Sequence, residues 1–194
     1  MTHEQRRFTA EKSFALASSL FPLEEWIPHG EGIFIAKSRL AGGHKEQAIL
    51  NREIDDVKIL TNRGSVAYFL PEDEKKGGKI MICVDTVIDG ELVELKTFSG
   101  NRNTLGWAFK KGFKQGLAVR QDHPEIPIPT NSVFIRLQSD FTVESVKGKI
   151  AGELKNRPEN GFFICYFEHI GELHTWSFEE LRSIIGKKDT RPPD

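Results

Sequence analysis

Three residues in this chain are spaced for chemistry: Asp85, Glu94 and Lys96. They stand on two apolar runs that flank Asp89-Gly90, within the stretch 80–98. Asp-Gly between such runs is a strong signal for a two-residue type I′ hairpin turn. Counting outward from the turn sets Ile88 opposite Glu91, Val87 opposite Leu92, Thr86 opposite Val93 and Asp85 opposite Glu94. Opposed side chains have Cβ atoms roughly 5 Å apart. Lys96, two residues beyond Glu94, shares its face. Two facing carboxylates repel, and more strongly where burial lowers the dielectric. Lys96 can neutralise them, as in a partly exposed hairpin with Asp85 near the sheet edge. A divalent cation is the other candidate, since hard cations take carboxylate oxygens and keep waters for substrate phosphates.

The remaining positions of this hairpin are apolar on both faces, with Met81, Cys83, Val87, Leu92 and Phe98 on one and Ile80, Ile82, Val84, Ile88, Val93 and Leu95 on the other. That is the pattern of central strands covered on both sides. The elements that must cover and position them follow from periodicity and punctuation. Residues 1–7 are polar and expected to fray. A helix is predicted from Thr9, as its cap, to a stop at Pro22. Ile33-Phe34-Ile35 reads as an edge strand, and Gly42-Gly43 as a joint between a leader, 1–43, and the main domain, 44–186. A helical period spans 44–63 with Gly64 placed to end it. Ser65–Leu70 is a predicted strand, and Pro71–Gly78 a charged, flexible loop into the hairpin.

Beyond the hairpin, Asn103 or Thr104 is expected to cap a helix whose core stripe is Leu105, Phe109, Phe113 and Leu117. Gly106, Gly112 and Gly116 are poor helix formers, so their presence there predicts close approach to another element. A proline-rich connection, 121–131, leads to a strand at Ser132–Gln138. A helix at Val143–Leu154, a strand at Phe162–Phe167, an edge strand at Gly171–Ser177 and a helix at Phe178–Ile185 complete the order. Residues 187–194 read as a disordered tail. Strand–helix–strand units predict an α/β fold, a mixed central sheet with helices on both faces.

Composition narrows the function classes. The 194 residues carry a net charge of −1, so a generic nucleic-acid-coating protein, which would be basic, is disfavoured. Cys83 and Cys165 lie in apolar runs and read as buried thiols. No apolar run reaches the ~20 residues of a membrane helix, and the N-terminus lacks a signal-peptide core. The expectation is a soluble protein, cytoplasmic or delivered into a target cell.

This order and these residues resemble the PD-(D/E)xK nuclease superfamily, with its restriction-endonuclease-like fold. The signature is an Asp on one central strand, then an acidic residue, any residue and Lys on the next: here Asp85 and Glu94-Leu95-Lys96. The chain is most similar to the C-terminal tRNase domains of contact-dependent-inhibition toxins and to nuclease domains fused to phage head-morphogenesis proteins. In those a helix opening with Glu and ending at Gly precedes a strand–Pro–Glu segment. Here these are Glu53, with Glu46 as the alternative, Gly64, and Phe69-Leu70-Pro71-Glu72. Val84 stands where the family often has Pro. The similarity covers roughly 44–178.

The resemblance implies hydrolysis of a phosphodiester in tRNA, other RNA or DNA. It places Mg²⁺ or Mn²⁺ on Asp85, Glu94 and Glu53, has Lys96 position or deprotonate the attacking water, and has Gln115 orient phosphate or water. Lys110, Lys111 and Lys114 would contact the substrate backbone. A cognate immunity protein and a homodimer are the further partners it suggests. Two other schemes use the same chain: a metal-free ribonuclease working through His123, His169 and His174, and an immunity or adaptor protein that kept the fold without the chemistry.

Overall fold

The computed structural model describes residues 3–71, 75–76, 79–80, 84–128 and 130–186. The order of elements is α1 (His3–Leu20), β1 (Trp26–Pro28), β2 (Ile33–Ala36), α2 (Lys37–Leu40), α3 (His44–Thr61), β3 (Ala67–Phe69), β4 (Lys75–Lys76), β5 (Lys79–Ile80), β6 (Thr86–Ile88), β7 (Glu91–Phe98), α4 (Arg102–Asp122), β8 (Asn131–Leu137), α5 (Val143–Leu154), β9 (Phe162–Phe167), β10 (Glu172–Ser177) and α6 (Phe178–Gly186). Eight strands form one mixed sheet in the order β1-β2-β3-β6-β7-β8-β9-β10, and β4 and β5 pair as a separate ribbon. β7 and β8 run parallel, as do β8 and β9 and β2 and β3. The fold is α/β. No helix among the described residues is long and apolar enough to cross a membrane.

The hairpin sits at the centre of the sheet in the register that the turn dictates: Thr86 pairs with Val93, Val87 with Leu92 and Ile88 with Glu91. Asp89 and Gly90 both have positive φ, 52° and 86°, as a type I′ turn requires. Met81, Ile82 and Cys83 lie outside the described residues, as do Glu72 and the tail 187–194.

The two sheet faces hold different cores. On one, α3 lays Leu50, Ile54, Val57 and Leu60 against Ile35, Phe69, Val93, Leu95 and Phe134. On the other, α4 buries Leu105, Phe109 and Phe113 over Val133, Ile135 and Phe163, joined by α5 and α6. The glycines of α4 let it approach closely. A Cβ at Gly112 would lie 3.0 Å from Glu94 Cγ, and one at Gly116 only 1.6 Å from Asn131 Oδ1.

Several expected boundaries shift. α1 begins at His3, not at Thr9; Thr9 lies inside the helix and its Oγ1 donates to the carbonyls of Gln5 and Arg6. The cap of α4 is Asn101, whose side chain accepts from the N–H groups of Asn103 and Thr104. The expected loop Pro71–Gly78 contains β4, which pairs with β5 just beyond it. Ile33–Ile35 is not at the edge, because β1 pairs outside it. The residues read as a leader also join the main body. α1 packs Leu16, Ala17 and Leu20 on Val66, Tyr68, Leu70 and Val87. Its buried Ser13 hydroxyl accepts the Gly90 N–H at 2.8 Å, pinning the hairpin turn.

Candidate functional site

β7 carries Glu94 and Lys96 on one face because side chains alternate along a strand. Glu94 points into the α4 side, under Gly112, and its side chain is only 1% exposed. Lys96 Nζ bonds Glu94 Oε1, while Glu94 Oε2 is buried with no hydrogen-bond partner. Burial pushes the Glu94 carboxyl up; the nearby Asp85 charge adds to this and Lys96 opposes it, leaving it at about 8.

Asp85 precedes β6 and occupies the seam between the strands. Its Oδ2 accepts the Leu95 N–H at 2.9 Å, and its own carbonyl accepts the Leu70 N–H at 3.0 Å. Lys96 is thus bonded to Glu94 and the Asp85 charge acts on Glu94, but the ladder of paired residues ends at Thr86–Val93 and does not include Asp85 opposite Glu94.

A cleft of about 220 Å³ opens beside Asp85, lined by Arg52, Glu53 and Asp56 from α3, Leu95, Lys96 and Thr97 from β7, and Asp85 itself. Glu53 lines this cleft, but its carboxylate is bonded by Arg39, whose side chain is 3% exposed. Arg39 Nη1 also donates to the carbonyls of Leu70 (3.0 Å) and Asp85 (2.9 Å). Its guanidinium lies 5.3 Å from the Phe69 ring centroid. Arg39 was not singled out from the sequence; it lies in the expected leader, 46 positions from Asp85, and no local pattern links the two. Glu46, the alternative helix acid, is exposed in the first turn of α3 and beside Gly42 and Gly43.

Asp56, like Arg52 and Thr97, lines the cleft without having been flagged by the sequence. It is buried, accepting Thr97 Oγ1 at 2.9 Å and Arg136 Nη1 at 3.2 Å. Burial pushes its carboxyl up, against those two donors. Arg136 in turn grips Glu168 through Nε (3.0 Å) and Nη2 (2.9 Å). Among the described residues, no three His, Cys, Asp or Glu side chains are grouped as ligands for one ion. Glu53 and Asp85 line the same cleft, with the Glu53 carboxylate bonded by Arg39 and Glu94 buried behind Lys96.

The other candidates lie elsewhere. Gln115 is on α4 and does not line the cleft; its Oε1 is buried with no hydrogen-bond partner. Lys110 is ion-paired with Glu153 at 2.6 Å. Lys111 sits over the Trp107 ring, 5.7 Å from its centroid. Lys114 is exposed on the same helix. Among the described residues, no histidine lines the cleft. His174 bonds Glu172 at 2.9 Å and stacks on Trp176 at the β10 edge, and His123 caps α4 beside Glu125.

Compared with models of protein families, with curated proteins and with solved structures, the chain matches none.

Proposed function

We propose that the protein is a divalent-metal-dependent phosphodiester hydrolase acting on nucleic acid, RNA including tRNA ahead of DNA, on a restriction-endonuclease-like sheet. One observation carries this: a buried carboxylate, Glu94, has one oxygen on Lys96 and the other without a partner, and feels the charge of Asp85; Asp85 and Lys96 line an open polar cleft that Glu94 itself does not line. A buried unpaired carboxylate oxygen is costly, so a structural role for Glu94 explains the arrangement poorly.

Two carboxylates fit Mg²⁺ or Mn²⁺, which take one or two such ligands and keep waters. A cation held by Asp85 and Glu94 would polarise a phosphoryl oxygen and acidify a bound water. The chain's own residues supply the rest. The Leu95 N–H fixes the Asp85 carboxylate. Arg39 and the Leu70 N–H fix the backbone of Asp85 through its carbonyl. Lys96 is a lining residue of the cleft and its ammonium bonds Glu94; in this reading its positive charge would offset the negative charge that builds on the phosphate. Gly112 allows the approach of α4 that shuts water from Glu94 on that side.

The test is direct incubation of the protein with tRNA, single-stranded DNA and duplex DNA, in Mg²⁺, Mn²⁺ or EDTA, beside Lys96→Ala. Cleavage that needs metal and is lost in the variant, with folding retained, supports the proposal. Activity that survives EDTA, or no cleavage of any substrate by the native protein, refutes it. Tight binding of a protein without cleavage would instead point to an adaptor.

A further inference from the structure

The cleft contains one cation that the carboxylate–lysine group does not use. Lys96 is committed to Glu94. Behind the lining, Arg39 serves Glu53, and Arg136 spans Asp56 and Glu168. Each of those basic groups is taken by a carboxylate. Arg52 is different. It lies on the exposed side of α3, lines the cleft, and among the described residues has no ion-pair or hydrogen-bond partner; its charge is felt only at a distance by Asp56.

Granting the nuclease reading above, we infer that Arg52 is the phosphate-binding residue of the cleft, taking a backbone phosphodiester of the substrate strand so that the strand crosses α3 rather than α4. The two internal arginines make this electrostatically feasible. Arg39 and Arg136 offset the charges of Glu53 and Asp56, and Lys96 is held by Glu94, so among the described lining residues an incoming phosphate meets Arg52 with Asp85 as the one acid not offset. A guanidinium presents paired donors that match phosphate oxygens. The cleft is also small. At about 220 Å³ it is below the roughly 300–1,000 Å³ of pockets that enclose a whole small molecule, so it suits one segment of a longer ligand. The α4 lysines are poorer candidates, because Lys110 is neutralised by Glu153 and none of the α4 lysines lines the cleft.

The experiment measures binding of fluorescently labelled tRNA and single-stranded DNA over a series of KCl concentrations, in a Lys96→Ala background that prevents cleavage. Adding Arg52→Ala should weaken binding about tenfold and lower the slope of log Kd against log salt by about 0.7, the value for one phosphate on a single strand. Arg52→Lys should recover most of that slope, and Lys114→Ala should leave it unchanged. In otherwise native protein, Arg52→Ala should raise KM with little change in kcat. The exposed position of Arg52 leaves the thermal melt unaltered, which checks folding. Unchanged slope and KM in Arg52→Ala, or a loss confined to Lys114→Ala, overturns the assignment while leaving metal-dependent cleavage intact. No binding or cleavage by the native protein overturns both.

Discussion

Glu94 is subject to opposing demands. Burial and the Asp85 charge favour its neutral form, and Lys96 favours its anion. Without a cation, a proton relieves the repulsion between the two acids. The consequence for stability has a definite sign. Because the folded-state pKa is raised, from 4.5 to about 8, this group's contribution is complete below pH about 4.5 and is lost as pH rises through about 8. The metal-free protein should therefore melt at a lower temperature at pH 9 than at pH 6, and Glu94→Gln should flatten that difference. Differential scanning calorimetry at both pH values tests this. Because ligand carboxylates must be deprotonated, Mn²⁺ affinity should rise over the same interval, measurable by titration calorimetry.

Arg39 makes a second residue-scale case. Removing one member of a buried pair leaves an uncompensated charge, at a cost of about 3–5 kcal/mol. Arg39→Ala would leave the largely buried Glu53 carboxylate without this cation, would empty the place of the guanidinium over Phe69 and would take its donor from the carbonyls of Leu70 and Asp85. At about 2–4 °C per kcal/mol for a domain of this size, its melting temperature should fall by about 10 °C in a thermal melt. An unchanged midpoint would show that the pair does not hold the cleft together.

At the scale of elements, α4 and α5 make contrasting use of glycine. Gly116 exists because Asn131 lies where a side chain would go, while nothing lies within 4 Å of a Cβ at Gly148 in α5. Gly116→Ala should cost about 1–3 kcal/mol through overpacking. Gly148→Ala should gain about 0.5–1 kcal/mol through helix propensity. Urea denaturation of both variants tests the contrast. The close approach was legible in the sequence, as three glycines in an otherwise good amphipathic helix. The partners were not: Glu94 and Asn131 reach α4 through strand crossovers that helical periodicity does not encode. The same limit explains the shifted starts. Thr9 and Asn103 are acceptable caps, but α1 extends back to His3 and Asn101 offers the better-placed oxygen.

At the scale of the whole molecule, the first 43 residues complete both the sheet and the site. β1 and β2 extend the sheet, α1 covers Val66, Tyr68 and Leu70, and α2 supplies Arg39. A chain beginning at residue 44 would expose Ile88, Phe69 and the α3 core on the side that Ile33 and Ile35 now cover, besides losing the Ser13 contact to the hairpin. It should lack a cooperative melt followed by circular dichroism, whereas an independent domain from residue 44 would retain one.

The sequence by itself determined the hairpin, its register and the shared face of Glu94 and Lys96. A two-residue turn and a period of two are short-range constraints, so Asp89-Gly90 fixes what lies opposite what. It likewise determined the core stripe of α4 and the α5 boundaries. Only the tertiary structure decided that Glu53 is bonded by Arg39, that Asp56 and Arg52 share a cleft with Asp85, and that Lys110 is taken by Glu153. These contacts join segments brought together by packing on the sheet's two faces, and that packing depends on the summed fit of many side chains that no local spacing records.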